Sequence, residues 1–140
     1  GLGDVYKRQA MEVAAKGYEV RYYPAQALID RFERVRFNRE AGADDLTAMR
    51  EILSCDLLIL DDLGAEFATA YSQSVLYQVI NDRMTEGRAT IISTNLDLPA
   101  LSKAYNERIL SRLIGSYTML GFVGRDIRQQ KLARRREGNA

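Results

Sequence analysis

The chain has 140 residues, of which 46% are hydrophobic and 28% are charged, and its formal net charge is +1. These values fit one globular domain, and no apolar run approaches the ~18 residues that a membrane-spanning helix needs. The absence of histidine and the single cysteine, Cys55, exclude histidine triads, histidine metal sites and a disulfide framework. We therefore expect a cytoplasmic protein whose chemistry uses carboxylates, arginines and backbone amides.

Charge is segregated along the chain. Seven acidic residues and one base, Arg50, lie between residues 44 and 66. A basic segment precedes this stretch and contains four arginines, Arg31, Arg34, Arg36 and Arg39. The C-terminal segment is basic as well. Partners respond to such local fields more than to the net charge.

Apolar periodicity predicts helices and strands in alternation. The expected helices cover residues 9–16, 25–37, 45–53, 72–84, 106–114 and 126–136, with a further helix beginning near Asp97. The expected strands cover residues 19–23, 57–60, 89–94 and 118–123. This alternation is typical of an α/β fold with a parallel sheet.

Polar residues follow two neighbouring predicted strands. Asp61 and Asp62 come directly after the apolar run 57–60, and Asn95 follows the strand 89–94. Ligands of doubly wound α/β folds bind outside the carboxyl ends of the strands. Paired carboxylates suit Mg²⁺ together with phosphate oxygens, and an amide can hold an attacking water, so the arrangement favours phosphoryl transfer. The alternative is that the aspartates form a turn and helix cap and that Asn95 is a turn residue.

Two arginines are ambiguous from their positions alone. Arg112 lies on a predicted helix whose apolar residues face inward, so its guanidinium is expected to point away from the core. It can cap a helix, pair with a surface acid or reach a phosphate of a neighbouring subunit. Arg128 is either a solvated residue at a helix start or a phosphate sensor.

The order and spacing of four segments resemble a known family. The segments are LLILDDLGAEF at 57–67, TIISTNL at 90–96, ERILSRLIG at 107–115 and DIR at 126–128. Over about residues 10–131 the chain resembles the AAA+ ATPases of the DnaC/DnaI helicase-loader and IstB transposition-helper group. The resemblance implies an α/β P-loop NTPase fold of the AAA+, ASCE type, with helices on both sides of a parallel sheet.

The resemblance also implies roles for individual residues. Asp61 is expected to be the Walker B magnesium ligand, Asp62 the water-activating acid and Asn95 the sensor 1 residue. Arg112 is expected to be an arginine finger acting in trans, and Arg128 the sensor 2 arginine. The implied cofactors are ATP and Mg²⁺. The implied partners are further copies bound through the Arg112 face, single-stranded DNA, and a replicative helicase or a transposase.

One departure from the family pattern is that G-x-x-x-x-G-K-[ST] does not occur in the 140 residues. We therefore expect residues 1–9 to be a non-native or disordered N-terminus, 10–131 a partial AAA+ domain and 132–140 a basic tail. We also expect the sheet to lack its first core strand and the P-loop, which exposes an apolar edge. These 140 residues alone are not expected to hydrolyse ATP, because the backbone cradle for the phosphates is missing.

The same resemblance implies that the four arginines of the basic segment fall on a two-helix insertion, which lines the DNA path in loaders of this kind. Arg31, Arg34, Arg36 and Arg39 are therefore candidate DNA contacts, and a solvated helix face is the alternative. We expect a fragment of a replicative-helicase loader. The alternatives are an IstB-like transposition ATPase and a non-hydrolysing DNA- or partner-binding module. A phospho-acceptor receiver domain does not fit, since its acid pair must follow the first strand.

Overall fold

The structure is a computed structural model that describes residues 2–37, 42–66 and 68–117. The helices of these residues are α1 (Leu2–Ala15), α2 (Ala25–Phe37), α3 (Ala43–Ser54), α4 (Ala70–Thr85), α5 (Leu98–Ala104) and α6 (Glu107–Ser116). The strands are β1 (Val20–Pro24), β2 (Leu57–Leu63) and β3 (Ala89–Thr94). They form one parallel sheet in the order β1-β2-β3, so the α/β alternation predicted from the sequence is confirmed.

Side-chain caps define where three helices begin. The Thr69 side chain accepts a hydrogen bond from the backbone N–H of Ser72 at 3.0 Å, and the Ser72 hydroxyl accepts one from the Thr69 N–H at 2.9 Å. At the start of α5 the Asp97 side chain accepts a hydrogen bond from the Ala100 N–H, and at the start of α6 the Asn106 side chain accepts one from the Ile109 N–H. Each cap satisfies an N–H that lacks a partner within the helix. The predicted start near Asp97 is confirmed.

β2 is the centre of the hydrophobic core. Leu57, Leu58, Ile59 and Leu60 are all buried, as expected for a parallel strand covered on both faces. The surrounding core residues come from α2, α3, α4, α5 and α6. Because β2 also pairs with a strand on each edge, the residues at its carboxyl end have a well-defined position.

β3 is an edge of the sheet that the described residues form. Ile91 and Ile92 are only half-buried, whereas the neighbouring β2 residues Ile59 and Leu60 are buried. The apolar side chains of this edge strand are therefore only partly covered within the described part of the chain. The predicted strand over 118–123 and the predicted helix over 126–136, which carries Arg128, lie outside the described residues, and so does Arg39.

The first helix is longer than the sequence suggests. The predicted helix over 9–16 is observed as α1, which begins at Leu2. The prediction that residues 1–9 are a non-native or disordered N-terminus stays a prediction, and residues 2–9 have a helical backbone here. The physical reason is that residues 4–15 contain neither glycine nor proline, so nothing interrupts the helix. None of the described helices combines the length and hydropathy needed to cross a bilayer.

Candidate functional site

A β-bulge at the end of β2 separates the two aspartates. Leu60 pairs with Ile92 and Leu63 pairs with Thr94, so β2 has one residue more than β3 over this interval. Asp62 takes up the extra length with a φ of 54°, in the left-handed region that costs a non-glycine residue about 1–2 kcal/mol. Bulges redirect side chains next to functional sites. Here the bulge leaves Asp62 exposed while Asp61 stays half-buried.

The Asp61 carboxylate lies between hydroxyl groups from both neighbouring strands. The Tyr22 hydroxyl on β1 donates to Oδ2, and the Ser93 hydroxyl on β3 donates to Oδ1. The Ser93 oxygen also accepts from the Asp62 N–H at 3.2 Å. The hydrogen bond to Asp61 raises the pKa of Tyr22 to about 12, so the phenol is a donor at neutral pH.

Asp62 and Asn95 line one shallow cleft at this end of the sheet. Its other lining residues are Leu63, Gly64, Ala65 and Leu96. The cleft encloses about 120 Å³, which is less than the ~300–1,000 Å³ of a typical ligand pocket. The described residues therefore provide space for a hydrated metal ion or a few waters, and a nucleotide needs further walls.

The loop after the aspartates is held by a buried carboxylate. Glu66 accepts a hydrogen bond from the Gly64 N–H at 2.7 Å and another from the Tyr105 hydroxyl. Burial, together with this contact to Glu66, raises the pKa of Tyr105. Gly64 has a φ of +103°, and a Cβ placed there collides with Cδ1 of Leu96. The loop therefore requires glycine at this position and is tied to the junction of α5 and α6.

The aspartates do not cap the next helix. The cap of α4 is Thr69, so that part of the alternative interpretation is wrong. The turn interpretation holds for the backbone, because the Ala65 N–H donates to the Asp62 carbonyl at 3.1 Å. The Asp62 side chain is exposed beside Asn95. The two predicted residues are thus brought together with one carboxylate directed to solvent.

Arg112 lies away from this cleft, on the α6 surface that packs against α4. The guanidinium groups of Arg112 and then Arg108 lie beside the hydroxyl of Tyr77 on α4 and lower its pKa. The guanidinium carbon of Arg108 lies 4.0 Å from the centre of the Tyr77 ring, within cation–π distance. Arg112 therefore rests on a tyrosine of its own chain.

The arginines of α2 fall into two groups. Arg31 Nη1 and Arg34 Nε lie 2.9 Å and 3.1 Å from the same oxygen of Asp45 on α3. The contacts to Arg34 and then Arg31 lower the pKa of Asp45. Arg36 instead lies 5.6 Å from the Phe37 ring centre and 5.4 Å from that of Tyr71. The pair with Asp45 fastens α2 to α3, whereas Arg36 belongs to an exposed aromatic cluster.

The oxygen ligands at the end of β2 fit a magnesium ion. No group of three or more acidic or cysteine side chains forms a metal cage within the described ranges. Mg²⁺ does not need such a cage, because it is bound through one or two carboxylates, waters and substrate phosphates. Asp61, whose carboxylate accepts from Tyr22 and Ser93, and Asp62 are carboxylates of the kind that this coordination uses.

Sequence reasoning missed four residues that shape this site: Tyr22, Ser93, Glu66 and Tyr105. The sequence did contain an indication for Ser93. A hydroxyl group within an apolar strand needs a polar partner, and the neighbouring strand ends in an aspartate. Tyr22 and Tyr105 each contact a carboxylate 39 residues away. Such contacts depend on strand register and helix packing, which periodicity does not reveal.

Comparison with known proteins identifies the family. The family model described as IstB-like ATP binding protein matches residues 1–131. The chain belongs to this family. Among curated relatives, YdaV of Escherichia coli (strain K12) is 35% identical over 65 residues, covering 46% of this chain and 26% of YdaV. The replicative helicase loader DnaC of the same strain is 24% identical over 75 residues, covering 54% of this chain and 31% of DnaC.

Solved structures with the same fold agree with this assignment. The crystal structure of the DnaC helicase loader matches with a TM-score of 0.65 and 22% identity, over 77% of this chain and 63% of that chain. AMPPCP-bound DnaA from Aquifex aeolicus matches with a TM-score of 0.63 and 20% identity, over 89% and 39%. These neighbours show that the fold is that of the P-loop AAA+ proteins. The matches to YdaV and DnaC span 26% and 31% of those relatives.

Proposed function

We propose that this chain is part of an ATP-binding AAA+ protein that loads a replicative helicase during DNA replication. The observation that carries the proposal is the arrangement at the ends of β2 and β3. A half-buried carboxylate fixed by two hydroxyls, Asp61, lies beside an exposed carboxylate, Asp62, and the exposed one shares a cleft with the amide of Asn95. This arrangement supports phosphoryl transfer from a magnesium-bound triphosphate, in which a carboxylate holds the metal and a second polar group orients the attacking water.

Each residue of the site has a separate task in this proposal. Asp61 holds Mg²⁺ directly or through water, and the ion supplies charge neutralisation on the phosphates when bound. Asp62, with its carboxylate in solvent, orients the attacking water and accepts its proton. Asn95 both donates and accepts hydrogen bonds, so it can hold that water or a γ-phosphate oxygen.

Two arginines complete the proposed machinery. Arg112 acts in trans on the nucleotide of a neighbouring copy, which makes its α6 face a self-association surface. Its position beside the Tyr77 phenol, with no ion pair to an acid of the described residues, supports this role. Arg128 acts as the sensor 2 arginine on the nucleotide of its own subunit. An arginine finger, the role proposed for Arg112, increases the rate of hydrolysis about 10³- to 10⁵-fold.

We further propose that single-stranded DNA contacts α2. Arg31, Arg34, Arg36 and Arg39 follow the phosphate backbone, and the cluster of Arg36, Phe37 and Tyr71 supports stacking of a base. Phe37 is 67% exposed and packs edge-on against Tyr71, with ring centres 5.0 Å apart. Exposed aromatic faces next to arginine are the usual platform for unpaired bases.

A second candidate is a transposition helper ATPase. The description of the matching family as IstB-like favours it, and the same site residues serve both functions. The two candidates differ in partner, a replicative helicase or a transposase. Pull-down of each purified partner by the full-length protein with ATP distinguishes them.

The proposal is tested by ATP hydrolysis in the full-length protein that carries this sequence. Asp62→Asn is expected to lower kcat by about 10²–10⁴, since it removes the acid that accepts the proton from water. Asp97→Asn is the matched control, because asparagine caps α5 as well as aspartate does, and its kcat is expected to equal that of the wild type. Hydrolysis that is unaffected by Asp62→Asn contradicts the role assigned to Asp62, whereas no hydrolysis by the wild type favours a non-hydrolysing module.

A further inference from the structure

Tyr22 occupies a position at the edge of the sheet that burial does not explain. It lies on β1, its side chain is 44% exposed, and it pairs with Ile59 of β2. Asp61 is two residues further along the same face of β2, a distance of about 6.6 Å at ~3.3 Å per residue. A tyrosine is long enough to span this distance, and its hydroxyl reaches the Asp61 carboxylate. The contact therefore depends on both the position and the length of the side chain.

The hydroxyl of Tyr22 complements that of Ser93. Tyr22 donates to Oδ2 of Asp61 from one neighbouring strand, and Ser93 donates to Oδ1 from the other. Two donors on opposite sides fix the rotation of the carboxylate about its χ2 bond, which is otherwise a broad torsion.

We propose that Tyr22 is a positioning residue that orients Asp61 for a divalent metal ion. The inference rests on the proposed function, in which Asp61 is the magnesium ligand. Hydrogen-bond partners of a metal ligand order that ligand before the ion arrives, and their loss typically lowers metal affinity about 10- to 100-fold. Because Tyr22 is partly exposed, removal of its hydroxyl affects the Asp61 carboxylate more than the hydrophobic core.

The test uses Mn²⁺ alone as a paramagnetic probe on the 140-residue chain. Bound Mn²⁺ broadens the amide NMR signals close to it, and the signals of Asp62 and Ser93 report on the Asp61 carboxylate. In Tyr22→Phe the Mn²⁺ concentration that half-broadens these signals is expected to rise about 10-fold. The matched control is Tyr23→Phe, whose ring packs against the core, and its midpoint is expected to equal that of the wild type. The amide spectrum shows directly whether each variant is folded.

A third variant separates this inference from the proposed function. Asp61→Asn is expected to abolish the selective broadening. If it does so, and Tyr22→Phe binds Mn²⁺ as tightly as the wild type or more tightly, the positioning role is overturned while the metal site stands. If the wild type shows no selective broadening, or Asp61→Asn leaves it unchanged, Asp61 is not a metal ligand and both proposals are overturned.

Discussion

The two ends of the sheet use polar groups in opposite ways. At the carboxyl end, Asp61 is half-buried and Asp62 is exposed at a left-handed backbone position. At the amino end, Arg83 of α4 is completely buried. Burial lowers the pKa of Arg83, but its hydrogen bonds keep the charge within the core.

Arg83 connects α4 to the end of α3 and to the start of β3. Its donors reach the Thr90 hydroxyl at 2.9 Å, the Ile52 carbonyl at 2.9 Å, the Cys55 Sγ at 3.4 Å and the Ala89 carbonyl at 2.7 Å. A buried polar group with every partner fixed specifies structure. A strained residue with an exposed charge points instead to function. The buried contacts at the amino end thus hold the strands together, and the exposed carboxyl end presents the acidic residues.

The largest expected effect comes from breaking the buried end. Arg83→Met leaves the Ile52 and Ala89 carbonyls without their donor, so the free energy of unfolding is expected to fall by about 3 kcal/mol. Urea unfolding followed by circular dichroism measures the change. Arg50→Met, at an exposed position of α3, is the control and is expected to stay within about 0.5 kcal/mol. If the free energy of unfolding falls by less than about 1 kcal/mol in Arg83→Met, the buried arginine does not hold the strands together, which contradicts the difference between the two ends.

A smaller effect of opposite sign is expected at the open end. Asp62→Gly relieves the left-handed backbone and is expected to raise the free energy of unfolding by about 1 kcal/mol, while it removes the proposed catalytic acid. Asp44→Gly, in the first turn of α3, is the control and is expected to lose about 0.5–1 kcal/mol. If Asp62→Gly destabilises the protein as much as Asp44→Gly does, the bulge is not strained.

The smallest effect concerns a charge cluster of intermediate exposure, that of Asp45 with Arg34 and Arg31. These arginines lower the pKa of Asp45 below its ordinary value of 3.8, so the unfolded chain takes up the proton first as the pH falls. The stabilisation is therefore present above pH 3.8 and is lost as the pH falls through the lower folded-state pKa.

Urea unfolding at pH 6 and below pH 3 measures this dependence. Asp45→Asn is expected to be less stable than the wild type at pH 6, and the difference is expected to shrink at the lower pH. The control is Asp44→Asn at the exposed neighbouring position. Its difference in the free energy of unfolding from the wild type is expected to change less between the two pH values. A difference that stays constant with pH excludes the ion pair as its source.

Most of the fold within the described residues was predictable, because the helices and strands follow simple apolar periods. α2 and β3 have the predicted bounds, and the other elements begin or end within a few residues of theirs, apart from the start of α1. The positions of Asp61, Asp62 and Asn95 at one edge were also predictable, since parallel strands place their carboxyl ends together.

Other features depend on how distant segments pair. The bulge at Asp62 exists because β2 has one residue more than β3 between two pairing points, and neither strand alone reveals it. Arg83 reads as an ordinary charged residue of a helix, yet the ends of α3 and β3 enclose it. The contacts of Tyr22 and Glu66 likewise arise only when separate elements meet.

In the proposed function, Asp61, Asp62 and Asn95 converge on one metal-bound triphosphate. The most direct test of this convergence is a crystal structure of the full-length protein with Mn²⁺ and a non-hydrolysable ATP analogue, in which anomalous scattering locates the metal. We expect the Mn²⁺ peak beside the Asp61 carboxylate, directly or through one water, with the γ-phosphate facing Asn95. A nucleotide bound elsewhere, with Asp61 and Asn95 remote from the metal, contradicts the claim.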